Sequence, residues 1–193
     1  ADSSYCTGVN THGLLGDNDA VNTKLDLVHT GGLAIQALAT AENYCVHAIN
    51  SAGNLYRWGS SSAPVCPSGT SQIPTLVATS VKFKPIIQST TYAACALSLD
   101  NEVYCWGSTS IMRTGASATP ISVDPGYKYT DIKLSDDRFC GLLENGQVRC
   151  WGTGTGGKLG HNSTANSTGT LTDGGRTYSQ LALGNSIACG ISG

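Results

Sequence analysis

The stretch CGLLENGQVRCWG, Cys140–Gly152, places two cysteines on either side of a turn and follows the second cysteine with Trp-Gly. The same design recurs as CALSLDNEVYCWG at Cys95–Gly107. A third copy, CVHAINSAGNLYRWG at Cys45–Gly59, keeps the first cysteine, the turn and the Trp-Gly step but has Arg57 where a second cysteine is expected. The chain therefore repeats one short unit, and this unit decides the fold.

Each copy of the unit predicts a β-hairpin. In the quoted stretch, Asn145-Gly146 is a strong hairpin signal between two runs of alternating apolar and polar residues. A three-residue loop with a glycine bulge sets Cys140 across from Cys150, and the same spacing sets Cys95 across from Cys105. Facing residues of antiparallel strands lie about 4.5 to 5.5 Å apart at Cα, which suits a disulfide. We therefore expect both hairpins to be stapled.

Four such units follow one another at nearly constant spacing. Their first cysteines are 50, 45 and 49 residues apart: Cys45, Cys95, Cys140 and Cys189. The fourth unit lacks its second strand, but the N-terminal stretch SSYCTGVNTHGLLG matches QVRCWGTGTGGKLG and sets Cys6 where the third unit has Cys150. We expect one domain over residues 1–193, with four repeats of about 48 residues, one of them split across the termini.

The repeat length and the cysteines together predict the architecture. Units of 45 to 50 residues with short β-like runs and glycine turns are typical of propeller blades of about four strands. The predicted fold is all-β, a small four-bladed β-propeller with disulfide-stapled hairpins. A Cys6–Cys189 disulfide is expected to close the ring between the N- and C-terminal strands. Cys45, which lacks a partner at Arg57, is expected to bond the remaining Cys66.

The repeat resembles the regulator of chromosome condensation superfamily, which includes β-lactamase inhibitor protein II. The shared features are an apolar strand, a turn with Asn or Gly, a G-x-L-G sequence, and the Trp-Gly step at Trp58-Gly59, Trp106-Gly107 and Trp151-Gly152. Members of this superfamily are β-propellers, usually with seven blades. The resemblance implies a module that binds other proteins. It does not carry over the nucleotide-exchange activity of the nuclear members, because the usual His-Thr pair before the hairpin is absent.

Composition excludes some partners and indicates a compartment. Charged residues make up 12% of the chain and the net charge is -2, so no nucleic acid partner is expected. Apolar runs are far shorter than the 20 or so residues that cross a bilayer, so no membrane insertion is expected. Eight well-spread cysteines, a chain that begins Ala-Asp-Ser, and glycosylation sequons at Asn162 and Asn166 predict a secreted glycoprotein.

The first hairpin departs most from the common pattern, at His47 and Arg57. Counting from the cysteines, we expect Leu55 to face His47 and Arg57 to face Cys45. One interpretation is a satisfied polar patch in which Arg57 pairs with Glu42. The other is a site for an anionic or polar ligand, since Arg offers a planar fork of donors and His titrates near neutral pH.

Other candidate sites are weaker. The three tryptophans could stack on sugars, but their fixed place in every full hairpin favours packing between blades. Asp17-Asn18-Asp19 is an acidic loop without the spacing or closing Glu of a calcium-binding loop, so no metal is expected, and it is the alternative ligand site. No sequence motif indicates a catalytic residue or a cofactor.

Two functions remain from the sequence. The first is a secreted, non-catalytic recognition module that binds a glycan or an extracellular protein, because a ring of repeats presents many loops. The alternative is a secreted enzyme that acts on a small molecule or polysaccharide, with a site in the first blade or the central channel built from residues distant in sequence.

Overall fold

A computed structural model describes residues 4–19, 23–29, 33–42, 44–60, 63–66, 71–108, 110–113, 115–171 and 176–192. The described residues form two short 3-10 helices, Ser110–Met112 and Thr155–Gly157, and neither is long or apolar enough to cross a membrane. The strands are β1 Tyr5–Val9, β2 Thr23–His29, β3 Ile35–Ala41, β4 Cys45–Asn50, β5 Leu55–Gly59, β6 Ser71–Leu76, β7 Phe83–Ser89, β8 Ala93–Ser98, β9 Val103–Gly107, β10 Ser117–Ser122, β11 Tyr129–Ser135, β12 Arg138–Leu143, β13 Val148–Gly152, β14 Ser167–Leu171, β15 Gln180–Leu183 and β16 Ala188–Ile191.

The strands form three complete blades and two half-blades. The first blade is β3–β6, the second β7–β10 and the third β11–β14, and each is an antiparallel four-stranded meander. The N-terminal half-blade is the pair β1–β2, and the C-terminal half-blade is the pair β15–β16. The first strands of successive blades contact one another, β3 with β7, β7 with β11 and β11 with β15. The all-β propeller architecture is therefore confirmed.

The turns set the register of the central hairpins. In the first blade the N–H of Asn50 donates to the carbonyl of Asn54, and the equivalent bond joins Leu143 to Gln147 in the third blade. Gly53 and Gly146 take positive φ angles of 73° and 81° in these turns, a conformation that glycine adopts without strain. The turn, rather than the first cysteine, is therefore the common anchor of the repeats.

This anchor corrects the predicted register of the first hairpin. His47 faces Arg57, and Cys45 faces Gly59, so the expected pairs of His47 with Leu55 and of Cys45 with Arg57 are wrong. Relative to the turn, Cys45 lies two residues earlier than Cys95 does in the second blade. The sequence alignment on the first cysteine was shifted by these two residues.

The hydrophobic core lies between blades. Trp58, Trp106 and Trp151 are fully buried, which confirms their packing role. Their indole N–H groups reach into the preceding unit, where Trp58 donates to the Leu14 carbonyl at 2.8 Å and Trp151 to the Ile111 carbonyl at 2.9 Å. Trp106 donates instead to the side chain of His47 on β4, so each tryptophan fixes its blade against the unit before it.

A second repeated bond links each hairpin turn to the next blade. The N–H groups of Phe83, Tyr129 and Tyr178 donate to the carbonyls of Gly53, Asn101 and Gly146 at 2.9, 2.8 and 2.7 Å. The last of these bonds joins the third blade to the C-terminal half-blade. The half-blade is thus held in the position that a fourth blade would take.

Three of the four predicted disulfides are present, and one is not. The structure contains Cys45–Cys66, Cys95–Cys105 and Cys140–Cys150. Cys6 and Cys189 are free thiols, so the predicted disulfide between them is wrong for a single chain. The reason is that β1 pairs with β2 and β16 pairs with β15, with no ladder between β1 and β16 among the described strands.

We expect the Cys95–Cys105 staple to stabilise the monomer and Cys6 to contribute little. Replacing both Cys95 and Cys105 with Ala should lower the free energy of unfolding by about 2 to 3 kcal/mol, because the unfolded chain gains loop entropy. Cys6→Ser should change it by less than about 0.5 kcal/mol. Urea denaturation at low protein concentration measures both. An equal loss in Cys6→Ser would mean that Cys6 is bonded within the chain.

Candidate functional site

His47 and Arg57 occupy the position of the hairpin disulfides. They face each other in the first blade as Cys95 faces Cys105 and as Cys140 faces Cys150 in the other two. The first blade instead uses Cys45, at the start of β4, to bond Cys66 in the loop after β5. The staple has moved, and a histidine–arginine pair fills the place it left.

His47 is fully buried and acts as a hydrogen-bond acceptor. Trp106 Nε1 donates to its Nε2 at 3.1 Å, and Ser89 Oγ lies 3.3 Å from its Nδ1. Burial and, to a smaller extent, the charge of Arg57 lower the pKa of His47 to about 3, although a hydrogen bond to the Val65 backbone opposes the shift. The imidazole is therefore neutral at physiological pH and joins the second blade to the loop that carries Cys66.

Arg57 is only half-buried and contacts the outer strand of the next blade. Its Nη1 donates to the carbonyl of Ala118 at 2.8 Å. Within the part of the chain that the structure describes, no ion pair joins it to Glu42. His47 is inaccessible to a ligand in this structure, so Arg57 is the only member of the pair that reaches solvent. Direct ligand binding by the His47–Arg57 pair stays a prediction.

A buried charged cluster at Asp124 was not anticipated from the sequence. Arg149 donates to both Asp124 oxygens, from Nε at 2.9 Å and from Nη2 at 3.1 Å, and Arg113 and the Tyr129 hydroxyl also donate to this carboxylate. Arg149 also lies over the ring of Tyr127, 3.6 Å from its centroid. Burial by itself would raise the pKa of Asp124, but the bonds from Arg149, Tyr129 and Arg113 outweigh it and lower the pKa. The cluster ties the second blade to the third and leaves Asp124 no capacity for a ligand.

An open cleft of about 280 Å³ lies between the third blade and the C-terminal half-blade. Its walls are mainly aliphatic and include the Cys140–Cys150 disulfide. The lining residues are Lys133, Cys140, Val148, Cys150, Leu159, Gly160, Tyr178, Leu181, Ala182, Leu183, Ala188, Cys189 and Gly190. Beside the cleft, all four residues of β16 are exposed to solvent. Three residues of this strand, Ala188, Cys189 and Gly190, also line the cleft, so the cleft and the strand edge adjoin each other.

The cleft is open because a tryptophan is missing from this interface. Between the second and third blades, Trp151 fills the equivalent space and stacks on Phe139 with ring centroids 3.9 Å apart. Ala188 is the counterpart of Phe139 in the C-terminal half-blade. Each of these two residues directly precedes a cysteine, Cys189 or Cys140, and each occupies the same position in the pairing with the first strand of its sheet. Among the described strands, none pairs with the outer edge of β16, and no described side chain takes the place of Trp151 there.

Arg138 holds the C-terminal half-blade although that sheet has only two strands. Its guanidinium is fully buried, with Nη1 donating to the Lys158 carbonyl at 2.6 Å and Nη2 to the Ile187 carbonyl at 2.9 Å. Bonds of a buried cation to backbone carbonyls are strong and geometrically specific. The cleft is therefore preformed, with a fixed wall on each side.

The remaining predicted sites lie on the surface. Asn162 and Asn166 are both exposed residues of one loop, and Asn166 Oδ1 accepts a bond from the Gly154 N–H at 3.0 Å. In the acidic loop, Asp17 Oδ1 accepts from the Asp19 N–H at 3.2 Å, and Asp19 forms an ion pair with Lys24 at 2.5 Å. No group of three metal-ligating side chains gathers there or elsewhere in the described ranges.

Comparison with known proteins places the fold. The pattern of the Regulator of chromosome condensation (RCC1) repeat matches residues 129–157, which span β11 to β13 and the following loop. The Serine/threonine-protein kinase-like protein CCR4 of Arabidopsis thaliana is 37% identical over 60 residues, which make up 31% of this chain and 6% of that protein.

Solved structures resemble nearly the whole chain. Human WBSCR16 superposes with a TM-score of 0.82 at 19% identity, over 99% of this chain and 53% of that chain. Yeast RCC1 (Prp20), solved with Kap60 bound, gives 0.77 at 15% identity, over 97% and 50%. The ectodomain of the Physcomitrella patens receptor kinase CR4 gives 0.58 at 15% identity, over 89% and 39%.

The chain therefore has an RCC1-like β-propeller fold, and it spans about half the length of WBSCR16 and Prp20. Nearly all of this chain superposes on about half of each of these two larger structures.

Proposed function

We propose that this chain is an extracellular protein-recognition module that binds its partner by adding a β-strand to β16. The observation that carries the proposal is the exposed edge of β16 beside a preformed apolar cleft. An exposed strand edge offers a row of backbone donors and acceptors, and an adjacent pocket selects the side chain of the added strand. The partner is an extended polypeptide segment.

The added strand carries a large aromatic residue opposite Ala188. In the second and third blades, the residue at this position faces a tryptophan, as Ala94 faces Trp106 and Phe139 faces Trp151. An aromatic side chain entering the cleft would bury its surface against Leu159 and Leu181, which line the walls. Pairing gives affinity, and the aromatic residue gives selectivity.

Several observations favour a protein ligand over a glycan, and secretion over an intracellular location. All three tryptophans are buried, so none offers a ring face for stacking on a sugar. Prp20 has been solved with Kap60 and characterised for binding to Gsp1p and histones, which are proteins. Three disulfides are typical of an oxidising compartment, and the CR4 relative is an ectodomain.

A peptide from the chain's own third blade tests the proposal. Residues 147–153 carrying Cys150→Ser, labelled with a fluorophore, should bind with a Kd below about 1 mM, as expected for a short strand with one aromatic anchor. The same peptide with Trp151→Ala should bind at least about tenfold more weakly, a difference of about 1.4 kcal/mol. Fluorescence anisotropy measures both affinities.

A matched pair of protein variants locates the binding. Ala188→Trp fills the cleft from its own wall and should abolish peptide binding, whereas Leu99→Trp adds the same ring at an exposed turn and should leave binding unchanged. Equal affinity for the Trp and Ala peptides, or unaltered binding to Ala188→Trp, would refute strand addition at β16. Binding of a sugar on a glycan array with no peptide binding would favour the glycan function instead.

A further inference from the structure

A row of facing side chains crosses the first blade from its first strand to its last. The row consists of Ala39 on β3, His47 on β4, Arg57 on β5 and Thr75 on β6. Directly facing residues of antiparallel strands lie on the same side of the sheet. This side is turned to the second blade, where His47 contacts Trp106 and Arg57 contacts Ala118. Arg57 therefore lies in the groove between the first two blades, next to the outer strand of each.

The guanidinium of Arg57 is anchored through one nitrogen and has unused donors on the other two. Its Nη1 donates to the Ala118 carbonyl at 2.8 Å, which fixes the planar group. No residue in the described ranges accepts a bond from its Nε or Nη2, although the side chain is half-buried. These two nitrogens form an edge through which arginine binds a carboxylate with two parallel hydrogen bonds. That edge is held in place without an acceptor.

Three other arginines show how this fold satisfies a guanidinium. Arg113 and Arg149 pair with Asp124, and Arg138 donates from all three nitrogens to a hydroxyl and three carbonyls. Arg57 has neither arrangement. Burial lowers the pKa of Arg57 with no carboxylate to oppose it, whereas burial of Arg149 is outweighed by Asp124, which raises its pKa. Among the residues that the structure describes, the charge of Arg57 thus has no counter-ion.

The bond to Ala118 does not by itself require a charged residue at position 57. A neutral amide such as that of Gln also donates to a carbonyl. A half-buried guanidinium without an anion, in contrast, is destabilised by the partial loss of its hydration. Packing of the first blade on the second therefore explains a hydrogen-bond donor at this position, but it does not explain the charge.

The groups on either side of Arg57 are uncharged. His47 is fully buried, and both of its ring nitrogens have hydrogen-bond partners. Thr75 is exposed, and its hydroxyl lies 2.9 Å from Ser71 Oγ on the same strand. A ligand in the groove meets one positive charge between neutral groups. This charge matches a monoanion, since the second charge of a dianion would stay uncompensated in a half-buried place.

We propose that Arg57 binds a carboxylate group in the groove between the first and second blades. The Nε–Nη2 edge donates two parallel bonds to the carboxylate oxygens, while Nη1 keeps its bond to Ala118. Thr75 and Ala118 are both exposed, so the carboxylate enters from solvent at the outer side of the blades. This site goes beyond strand addition at β16, and neither depends on the other.

Acetate is the probe for this site. In isotopically labelled wild-type protein, the NMR signal of Arg57 Nε–Hε should shift and saturate on titration with sodium acetate, with a Kd on the order of 10 mM. Sodium chloride at equal ionic strength should give no saturable shift. The Arg149 Nε–Hε signal is the internal control, because Asp124 already accepts its bond. No saturable acetate shift at Arg57, or an equal shift at Arg149, would overturn the proposal.

Two variants test whether the effect depends on the charge of Arg57. Arg57→Gln keeps a donor but not the charge, and Lys82→Gln removes a lysine that bonds only the amide of Asn54. In urea denaturation with acetate at about ten times its Kd, the folding equilibrium constant of wild type should be about tenfold higher than in chloride. Lys82→Gln should show the same rise and Arg57→Gln none. Equal rises in wild type and Arg57→Gln would count against the site. If Arg57→Gln does not fold, the wild-type titration decides.

Two small acids identify the source of the carboxylate. The α-amide of N-acetylaspartate presents a side-chain carboxylate, and N-acetylglycine presents one like that of a polypeptide C-terminus. A lower Kd at Arg57 for the first acid would identify an acidic side chain of a partner protein, and a lower Kd for the second would identify a C-terminus. A shift of the Arg57 signal with inorganic phosphate but with neither acid would show that the ligand is not a carboxylate.

Discussion

Asp124→Ala is expected to lower the free energy of unfolding by about 3 to 5 kcal/mol, because it leaves the buried Arg149 guanidinium without its counter-ion. Asp124 and Arg149 are 3% and 7% exposed, so water cannot replace the lost carboxylate. The Tyr129 hydroxyl, which is also buried, loses its acceptor in the same variant. Urea denaturation at pH 7 measures the loss.

A surface ion pair provides the control for this prediction. Glu102 accepts a bond from Lys128 at 2.9 Å, and their side chains are 29% and 41% exposed. Glu102→Ala should therefore cost less than about 1 kcal/mol. If Asp124→Ala does not fold, Asp124→Asn keeps one acceptor oxygen and should still lose more than Glu102→Ala. Equal losses at the two positions would show that the buried cluster does not hold the second and third blades together.

His47 is expected to make the fold sensitive to mild acid. The unfolded chain binds a proton at this histidine near pH 6.5, whereas the folded imidazole stays neutral down to about pH 3. Between these values the unfolded state binds more protons, so acidification favours unfolding by about 1.4 kcal/mol per pH unit. From pH 7.5 to pH 4 this group should remove about 3 kcal/mol of stability.

His47→Gln isolates this contribution from the titration of other groups. Its amide oxygen can still accept the bond from Trp106, but the side chain does not titrate. The difference in unfolding free energy between pH 7.5 and pH 4 should therefore be about 3 kcal/mol smaller in His47→Gln than in wild type. His12→Gln, which removes a histidine from a loop outside the blades, is the control. An equal pH dependence in wild type and His47→Gln would mean that His47 is protonated in the folded state.

The candidate site was only partly predictable from sequence. The departure of the first blade from the common repeat pattern at His47 and Arg57 was visible in the sequence. Its meaning depended on the strand register, which an alignment on the cysteines predicted wrongly. Anchoring the repeats on the turn, at Asn50 and Gly53, would have set His47 against Arg57 directly.

The sequence by itself determined the features that arise within one repeat. Strand alternation, the Asn-Gly turn and the paired cysteines act over about ten residues, so Cys95–Cys105 and Cys140–Cys150 followed from spacing alone. The burial of the tryptophans followed from their fixed position in every complete hairpin. Cys45–Cys66 followed because Cys45 lacks a second cysteine in its own hairpin and Cys66 has no partner in the repeat pattern.

The tertiary structure decided everything that depends on how one blade meets the next. Asp124 and Arg149 are 25 residues apart and belong to no shared motif, so only packing of the third blade on the second brings them together. The same holds for Trp106 and His47, 59 residues apart. Above all, only the tertiary structure shows that β1 pairs with β2 and β16 with β15, so that Cys6 and Cys189 do not bond to each other. Which strands pair at the two ends depends on side-chain packing between blades, and a repeat count does not contain it.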